Sequence, residues 1–152
     1  MTGCDISTRS ARVADFPAVN DLATLLVGLQ ADRRATFSAV LASPEHDLVV
    51  AEVGGTLAGF AHLLTYHDLS HGALAGELLA LIVRKDMRLQ GIGTALLREI
   101  VRLATKRGIG ELHINTEPDN EAAKRLYASM GAKMVGEQLE LSLRDTTQTE
   151  VS

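Results

Sequence analysis

Residues 88 to 94 combine a basic side chain with two glycines at a spacing that suits an anion. Arg88, Gly91 and Gly93 follow an apolar run and a short polar turn, and a segment of helical periodicity comes after them. Glycines let a backbone approach a ligand closely because they lack a Cβ, and the first amides of a helix have no internal partners. A phosphate suits such a helix N-terminus. The pattern therefore predicts a phosphate-bearing ligand, although a tight turn that binds nothing also fits the glycines alone.

Three kinds of phosphate loop compete for this segment. A nucleoside-triphosphate loop needs a Lys-Ser/Thr pair after its last glycine, whereas Gly93 is followed by Thr94. A dinucleotide loop needs a third glycine where this chain has Leu96. The third pattern is Arg/Gln-x-x-Gly-x-Gly/Ala, which resembles the acetyl-CoA pyrophosphate loop of the GNAT family of N-acetyltransferases. Arg88, Gly91 and Gly93 match it at every fixed position.

A second motif about one strand further on resembles the other GNAT signature, N-x-x-A-x-x-L-Y-x-x-x-G-F. Ala132 replaces the usual aromatic residue at its end. Two signatures in the right order are more specific than either alone, and Arg9, Ala11 and Asp15 resemble the start of such domains. The residues that match the second signature are Asn120, Ala123, Leu126, Tyr127 and Gly131.

The resemblance implies a mixed α+β fold, in which a mostly antiparallel sheet with splayed central strands is flanked by helices and acetyl-CoA lies in the gap. It implies that the end of strand 78–83 offers backbone groups to the pantetheine arm, while the amides of residues 90 to 94 hold the pyrophosphate. No metal site is expected. The cofactor-binding residues expected from it are Leu81, Ile82, Val83, Arg88, Leu89, Gln90, Gly91, Ile92, Gly93, Thr94, Asn115, Asn120, Ala123 and Tyr127.

Two side chains are candidates for proton transfer, which requires hydrogen-bond reach, directly or through one water. By the resemblance, Tyr127 is the general acid for the leaving thiolate; a buried tyrosine that only packs the helix is the alternative. Glu77 is the candidate base, because it stands at the same spacing before Arg88 as the glutamate base of histone-acetylating relatives. A solvated charge at the end of a strand is the alternative explanation of Glu77.

Histidines surround the expected acceptor pocket. His62, His67 and His71 lie on or near the strand and loop that should border it, and each could bind substrate or relay a proton. His113 lies in strand 111–115 and is expected to be structural. The acceptor itself cannot be identified, since residues 15 to 45 and 62 to 76 would determine it.

Length and composition narrow the class of protein. A chain of 152 residues suits one domain, with a flexible tail over residues 144 to 152. A net charge of -4 and an aromatic content of 3% argue against nucleic acid or an acidic membrane as the main partner. Cys4 is the single cysteine, so neither an internal disulfide nor the usual zinc sites are expected. The N-terminal residues lack the apolar core of a signal peptide, which predicts a cytoplasmic protein, and the resemblance makes a homodimer plausible.

Periodicity and turn residues predict alternating strands and helices around one sheet. The segments 66–75 and 116–119 are expected to be a loop and a turn, and Gly54-Gly55 a hairpin turn. Asp15 is expected to cap the first helix, and Gly59 to mark a bulge. The predicted strands are 6–13, 47–53, 56–65, 78–83 and 111–115, with a last hairpin from 134–136 and 139–143. The predicted helices are 16–29, 32–41, a segment that residues 88–94 open and that ends near 106–108, and 120–131.

These observations predict an N-acetyltransferase that transfers an acetyl group from acetyl-CoA to a primary amine of a small molecule or protein. Direct attack in a ternary complex is expected, because the only thiol lies outside both motifs. The alternative is a catalytically silent acyl-CoA-binding sensor or regulatory module. Such a module would keep Arg88, Gly91 and Gly93 but would need neither Glu77 nor Tyr127.

Overall fold

Five strands form one sheet in the order β1-β2-β3-β4-β5, in which only β4 and β5 run parallel. The computed structural model describes residues 5 to 143. The expected mixed α+β fold with a mostly antiparallel sheet is confirmed. The strands are β1 (Ile6–Ser10), β2 (His46–Val53), β3 (Thr56–Asp68), β4 (Ala73–Val83) and β5 (Glu111–Ile114); the helices are α1 (Phe16–Val27), α2 (Arg34–Ala42), α3 (Ile92–Lys106) and α4 (Glu121–Ser129).

The helices α1 and α2 cover one face of the sheet, and α3 covers the other. Phe60 on β3 joins a core cluster with Val19 and Leu22 of α1 and with residues of α2. A Cβ at the neighbouring Gly59 would lie 3.2 Å from Leu96 of α3. Successive residues of a strand point to opposite faces, so these two contacts identify the two layers.

Gly59 lies where β3 and β4 approach each other too closely for a side chain. A Cβ there would come within 2.5 Å of the carbonyl oxygen of Ile82. The pairing of β2 with β3 also shifts beside it, because Ala51 pairs with Gly59 and the next residue pairs with Leu57. The expected bulge therefore lies next to Gly59, and backbone crowding explains why a glycine is required.

The hairpin of β3 and β4 is longer than the sequence predicted. Tyr66 pairs with Ala75 and Asp68 with Ala73, so the predicted loop 66–75 was wrong. The polar side chains of residues 66 to 68 are typical of a loop, but here they alternate along a paired strand, with Tyr66 and Asp68 opposite alanines. The connection is a turn near Gly72, whose φ of 60° favours glycine.

Asp15 precedes α1 as predicted, but its side chain does not cap the helix. Its carboxylate accepts two hydrogen bonds from the guanidinium of Arg9, at 2.8 and 2.9 Å, and one from the backbone amide of Arg12 at 2.7 Å. Arg9 also donates to Glu52 on β2. The predicted cap was therefore wrong. Asp15 instead belongs to a partly buried charge cluster with Arg9 and Glu52, which links the start of α1 to β1 and β2.

The chain divides into two compact units, which meet in sequence at residue 120. In the second unit, α4 ends at Ser129. Gly131 follows in the turn with a φ of 92°, and the amide of Ala132 donates to the carbonyl of Tyr127 at 3.1 Å. The predicted hairpin of 134–136 and 139–143 was wrong, because the structure has no strand between residues 132 and 143. One of its strands had only three residues, and a lone hairpin is marginally stable in water.

Cys4 and the tail from residue 144 lie outside the described residues, and the expectation of a single domain stays a prediction. Within residues 5 to 143, no helix is long and apolar enough to cross a membrane.

Candidate active site

The edge of β4 that faces β5 is only half paired. The parallel pairing joins Ala75–Leu78 of β4 to the four residues of β5 and stops there. From Leu79 to Val83, β4 has no neighbour on this side among the described strands. A register shift against β3 occurs at the same point, because Leu78 and Ala80 pair with successive residues of β3 and Leu79 is left over. The open edge of β4, where the resemblance implied a gap between splayed strands, therefore begins at Leu79.

Main-chain groups at the end of β4 point into this gap. The amide of Arg84 donates to the carbonyl of Ala58 at 2.8 Å. Hydrogen-bonded and non-hydrogen-bonded pairs alternate along antiparallel strands, so in this register Ile82 bonds to β3. The main-chain groups of Leu81 and Val83 then face the unpaired edge. An extended amide-containing ligand could hydrogen-bond there as an additional strand would.

The turn between β4 and α3 brings backbone amides together at the end of that edge. It contains one turn of 3-10 helix at Lys85–Met87, and α3 then begins at Ile92. Leu89 has a φ of 64°, which is strained for a residue with a side chain, and Gly91 has a φ of 85° at the N-cap. The first turn of α3 holds no acidic residue. Its first amides and the helix dipole therefore suit an anion.

Arg88 connects the turn to the strand. Its Nε donates a hydrogen bond to the carbonyl oxygen of Val83 at 3.2 Å. This contact occupies one acceptor at the open edge and uses one of the five donors of the guanidinium. The sequence placed Arg88 beside a phosphate, and the structure adds a role in fixing the loop against β4.

Glu77 and Asn115 form a pair across β4 and β5 at the start of the gap. The side-chain amide of Asn115 donates to Oε1 of Glu77 at 3.1 Å. Asn115 follows directly after β5, whose pairing with β4 ends one residue earlier. The structure therefore brings together a predicted base and a predicted cofactor-binding residue that are 38 positions apart.

Tyr66 and His113 form a second pair on the same part of the sheet. The Tyr66 hydroxyl lies 3.1 Å from Nδ1 of His113, and Nε2 of His113 lies 3.5 Å from Oε2 of Glu111. Partial burial, followed by the charges of Glu77, Asp68 and Glu111, raises the pKa of Tyr66. Sequence reasoning missed Tyr66 because it fell in a predicted loop; the alternation of residues 64, 66 and 68 was the available signal.

The three histidines that were predicted to border the acceptor pocket, His62, His67 and His71, lie apart from the pair of Tyr66 and His113. Nε2 of His62 is 2.8 Å from Nδ1 of His46, and burial followed by the charge of His46 lowers the pKa of His62 to about 4. His71 is 2.6 Å from Asp68 in the turn after β3, and this hydrogen bond raises the pKa of His71. His67 lies on β3. Only His113 is paired with a group beside the gap.

Tyr127 lies on α4 in the second unit, where it is half-buried. Burial raises the pKa of its phenol, which keeps the hydroxyl protonated at neutral pH. Ala123 lies one turn earlier on α4, and the backbone amide of Asn120 donates to the carbonyl of Glu117 at 3.0 Å. The roles of these three residues stay predictions.

Comparison with known proteins identifies the family. A family model described as "Acetyltransferase (GNAT) family" matches residues 13–132. The chain is 36% identical over 114 residues to "N-alpha-acetyltransferase RimI" from Mycobacterium tuberculosis, covering 75% of this chain and 69% of the relative. It is 28% identical over 108 residues to "Aminoglycoside N(6')-acetyltransferase type 1" from Serratia marcescens, covering 68% of this chain and 74% of the relative. Mouse and rat N-acetyltransferase 8 relatives are matched over only 41% and 40% of their lengths.

The fold has a solved counterpart in "Aminoglycoside N-Acetyltransferase AAC(6')-Iy in Complex with CoA". The two structures superpose with a TM-score of 0.82 at 19% identity, covering 95% of this chain and 98% of the other. At this identity the likeness concerns the fold alone. Together with the match of the family model over residues 13–132, it shows that the chain belongs to the GNAT family of acetyltransferases.

Proposed function

We propose that this protein is an acetyl-CoA-dependent N-acetyltransferase that acetylates a primary amine by direct attack in a ternary complex. The observation that carries the proposal is the continuity of the open β4 edge with the N-terminus of α3. The edge offers main-chain hydrogen bonds of the kind made by a neighbouring strand, and the helix N-terminus beyond it suits an anion. A pantetheine arm that ends in a diphosphate needs these two features next to each other.

The residues present fit acetyl-CoA. The main-chain groups of Leu81 and Val83 would hold the two amides of the pantetheine arm, and the amides of residues 90 to 94 would hold the diphosphate. Arg88 would add positive charge beside it. When bound, the cofactor supplies a thioester, whose carbonyl carbon forms a bond to the amine nitrogen while the C–S bond breaks and its electron pair leaves on sulfur.

The chain's own groups would manage the protons. We propose Tyr127 as the donor to the leaving thiolate, because its phenol is protonated at neutral pH and the second GNAT motif matches at this position. Glu77, oriented by the amide of Asn115, would attract a cationic amine to the start of the gap and could accept its proton through one water.

Two classes of acceptor are favoured by the named relatives. One relative is an N-alpha-acetyltransferase, which suggests a peptide α-amino group, and the other acts as an aminoglycoside N-acetyltransferase. We also propose that the protein is cytoplasmic, as the sequence analysis predicts, and that it forms a homodimer, as the family resemblance implies; both stay predictions.

The experiment is an acetyl-transfer assay with the full chain. Acetyl-CoA should raise the melting temperature. Free CoA should appear when an alanine-initiated peptide or sisomicin is added, together with a product whose mass has increased by one acetyl group in place of a hydrogen. Binding without transfer to any amine would instead favour the acyl-CoA sensor. Absence of any thermal shift with saturating acetyl-CoA would contradict both functions.

A further inference from the structure

A tyrosine and a histidine from strands that are not neighbours share a hydrogen bond across β4. Tyr66 lies on β3 and His113 on β5, so two strand spacings of about 4.8 Å separate their main chains. Between them lies Ala75, which is paired with both Tyr66 and Glu111. Because Ala75 carries only a methyl group, the tyrosine ring can extend over it, and its hydroxyl comes within 3.1 Å of Nδ1.

The neighbouring groups indicate which atoms of Tyr66 and His113 carry a proton. Partial burial, followed by the charges of nearby carboxylates, raises the pKa of Tyr66 and keeps its phenol protonated, so the hydroxyl is the donor and Nδ1 of His113 the acceptor. On the other side of the imidazole, Nε2 faces the carboxylate of Glu111 at 3.5 Å, which favours a proton on Nε2. A neutral His113 in this tautomer has its lone pair directed at the Tyr66 hydroxyl.

The pair stands next to the proposed site of reaction and can be reached from solvent. His113 is the register partner of Glu77, and the pairing of β4 with β5 ends one residue later. The His113 side chain is 45% exposed. If the pair were buried, the need to satisfy its own hydrogen bonds would be enough to explain it. Because it is half-exposed at the start of the open β4 edge, a substrate can reach it.

We propose that Tyr66 and His113 form a proton relay that takes the acceptor amine's proton in place of Glu77, an assignment that rests on the proposed function. The Tyr66 oxygen takes a proton from the acceptor's ammonium group while its own proton passes to Nδ1 of His113. The ammonium becomes a neutral amine with a free lone pair, and His113 becomes an imidazolium. His113 then returns the proton to solvent, which restores the pair.

The charges around the relay suit this transfer. Glu111 on β5 and Glu77 on β4 face the imidazole, Asp68 on β3 lies near Tyr66, and His71 in the turn lies near Glu111. The carboxylates attract the cationic amine to the relay. The relay thereby gives His113 a role in catalysis where the sequence suggested a structural one.

Two substitutions test the relay, and one serves as a control. Tyr66→Phe keeps the ring over Ala75 and removes only the hydroxyl, while His113→Gln removes the proton acceptor. His46→Gln removes an imidazole from β2 without touching the pair. The rate constant kcat/KM for acetylation of an alanine-initiated peptide and of sisomicin is measured from pH 6 to pH 9.5, and imidazole nitrogen NMR of the unliganded protein reports the tautomer of His113.

We expect kcat/KM at pH 7 to fall about 10²-fold in both relay variants, the usual effect of removing a general base. The deficit should shrink as pH rises above about 8, because a peptide α-amino group is then already neutral. A merely structural role would give the same deficit at every pH. The NMR spectrum should show the Nε2–H tautomer in the wild type and a mixture in Tyr66→Phe, and His46→Gln should stay within about twofold of wild type, as expected for a residue outside a catalytic network.

Each contrary result has a distinct meaning. A wild-type protein that transfers acetyl groups while both variants match it, or while their deficit is independent of pH, overturns the relay alone. An Nδ1–H tautomer of neutral His113 also overturns it, whatever the activity. A wild-type protein that binds acetyl-CoA and acetylates neither probe overturns the proposed function and the relay with it.

Discussion

Arg88 donates a hydrogen bond from Nε to the carbonyl oxygen of Val83, at 3.2 Å, and so joins the glycine turn to the end of β4. The two features that would bind the diphosphate and the pantetheine arm are thereby held in a fixed relation. Arg88 therefore contributes a positive charge and also holds the glycine turn against β4, so that its replacement tests both contributions.

Replacement of Arg88 should weaken acetyl-CoA binding. We expect Arg88→Ala to raise the Kd about tenfold, which corresponds to about 1.4 kcal/mol. Arg88→Lys should recover only part of the loss, because an ammonium group cannot contact a carbonyl and a phosphate with the guanidinium geometry. Calorimetric titration measures both. Arg102→Ala, an exposed arginine on α3 paired with Glu99, is the control, and an equal loss in Arg102→Ala and Arg88→Ala would contradict a local role.

Gly59 should tolerate no side chain. The Cβ of Gly59→Ala would lie 2.5 Å from the Ile82 carbonyl oxygen, so β4 must move. We expect the free energy of unfolding to fall by about 1–3 kcal/mol, as for other overpacked sites. Gly110→Ala is the control, because no atom lies within 4 Å of its added Cβ. Urea denaturation compares the two, and similar losses would contradict the close approach of β3 and β4.

Asp15 should stabilise the fold in a pH-dependent way. Hydrogen bonds from Arg9 hold the pKa of Asp15 below its usual value, so its stabilisation is present above the unfolded-state pKa of about 3.9 and is lost as pH falls through the folded pKa. We expect Asp15→Asn to cost about 2 kcal/mol at pH 7 and less at pH 3, measured by denaturant unfolding. A cost that does not change between these pH values would refute the charge cluster.

His62 should make the protein less stable in mild acid. Burial lowers its pKa to about 4 in the folded state, whereas an unfolded histidine titrates near 6.5. The unfolded state therefore binds the extra proton as pH falls from about 6.5 toward 4, and stability decreases over that interval. We expect the wild type to lose more stability than His62→Gln between pH 7 and pH 4.5, by on the order of 1 kcal/mol after allowance for solvent screening. Parallel curves for the two proteins would contradict the buried, neutral histidine.

Tyr127 should affect turnover more than binding. If its phenol protonates the leaving thiolate, Tyr127→Phe should lower kcat about 10²-fold while the Kd for acetyl-CoA changes less than about threefold. Stopped assays of CoA release and calorimetry measure the two quantities. Equal losses of both would indicate that the tyrosine packs the cofactor or the helix and donates no proton.

Strongly periodic and glycine-marked segments were predicted well. The hairpin turn at Gly54-Gly55, the core of α3, and β5 all lie within a residue or two of their expected bounds. Their signals are local, because turn geometry and the helical period depend on residues close in sequence. The same locality made the glycine-marked turn before α3 recognisable, and its binding of an anion stays a prediction.

Contacts between distant residues could not be predicted. The bond between Tyr66 and His113 joins positions 47 apart and depends on the small side chain of Ala75 between them. Asp15 had a good local reason to cap α1, but Arg9 offered a charged partner from β1 and outcompeted the helix amides. In both cases a tertiary contact decided the role of a side chain whose sequence neighbourhood suggested another.

A crystal structure of the protein with bound coenzyme A tests the central claim most directly. We expect the diphosphate on the backbone amides of residues 90 to 94, and the pantetheine arm along β4 with hydrogen bonds to the main chain of Leu81 and Val83. A diphosphate bound elsewhere, or an arm that leaves the open edge of β4 empty, would contradict the account.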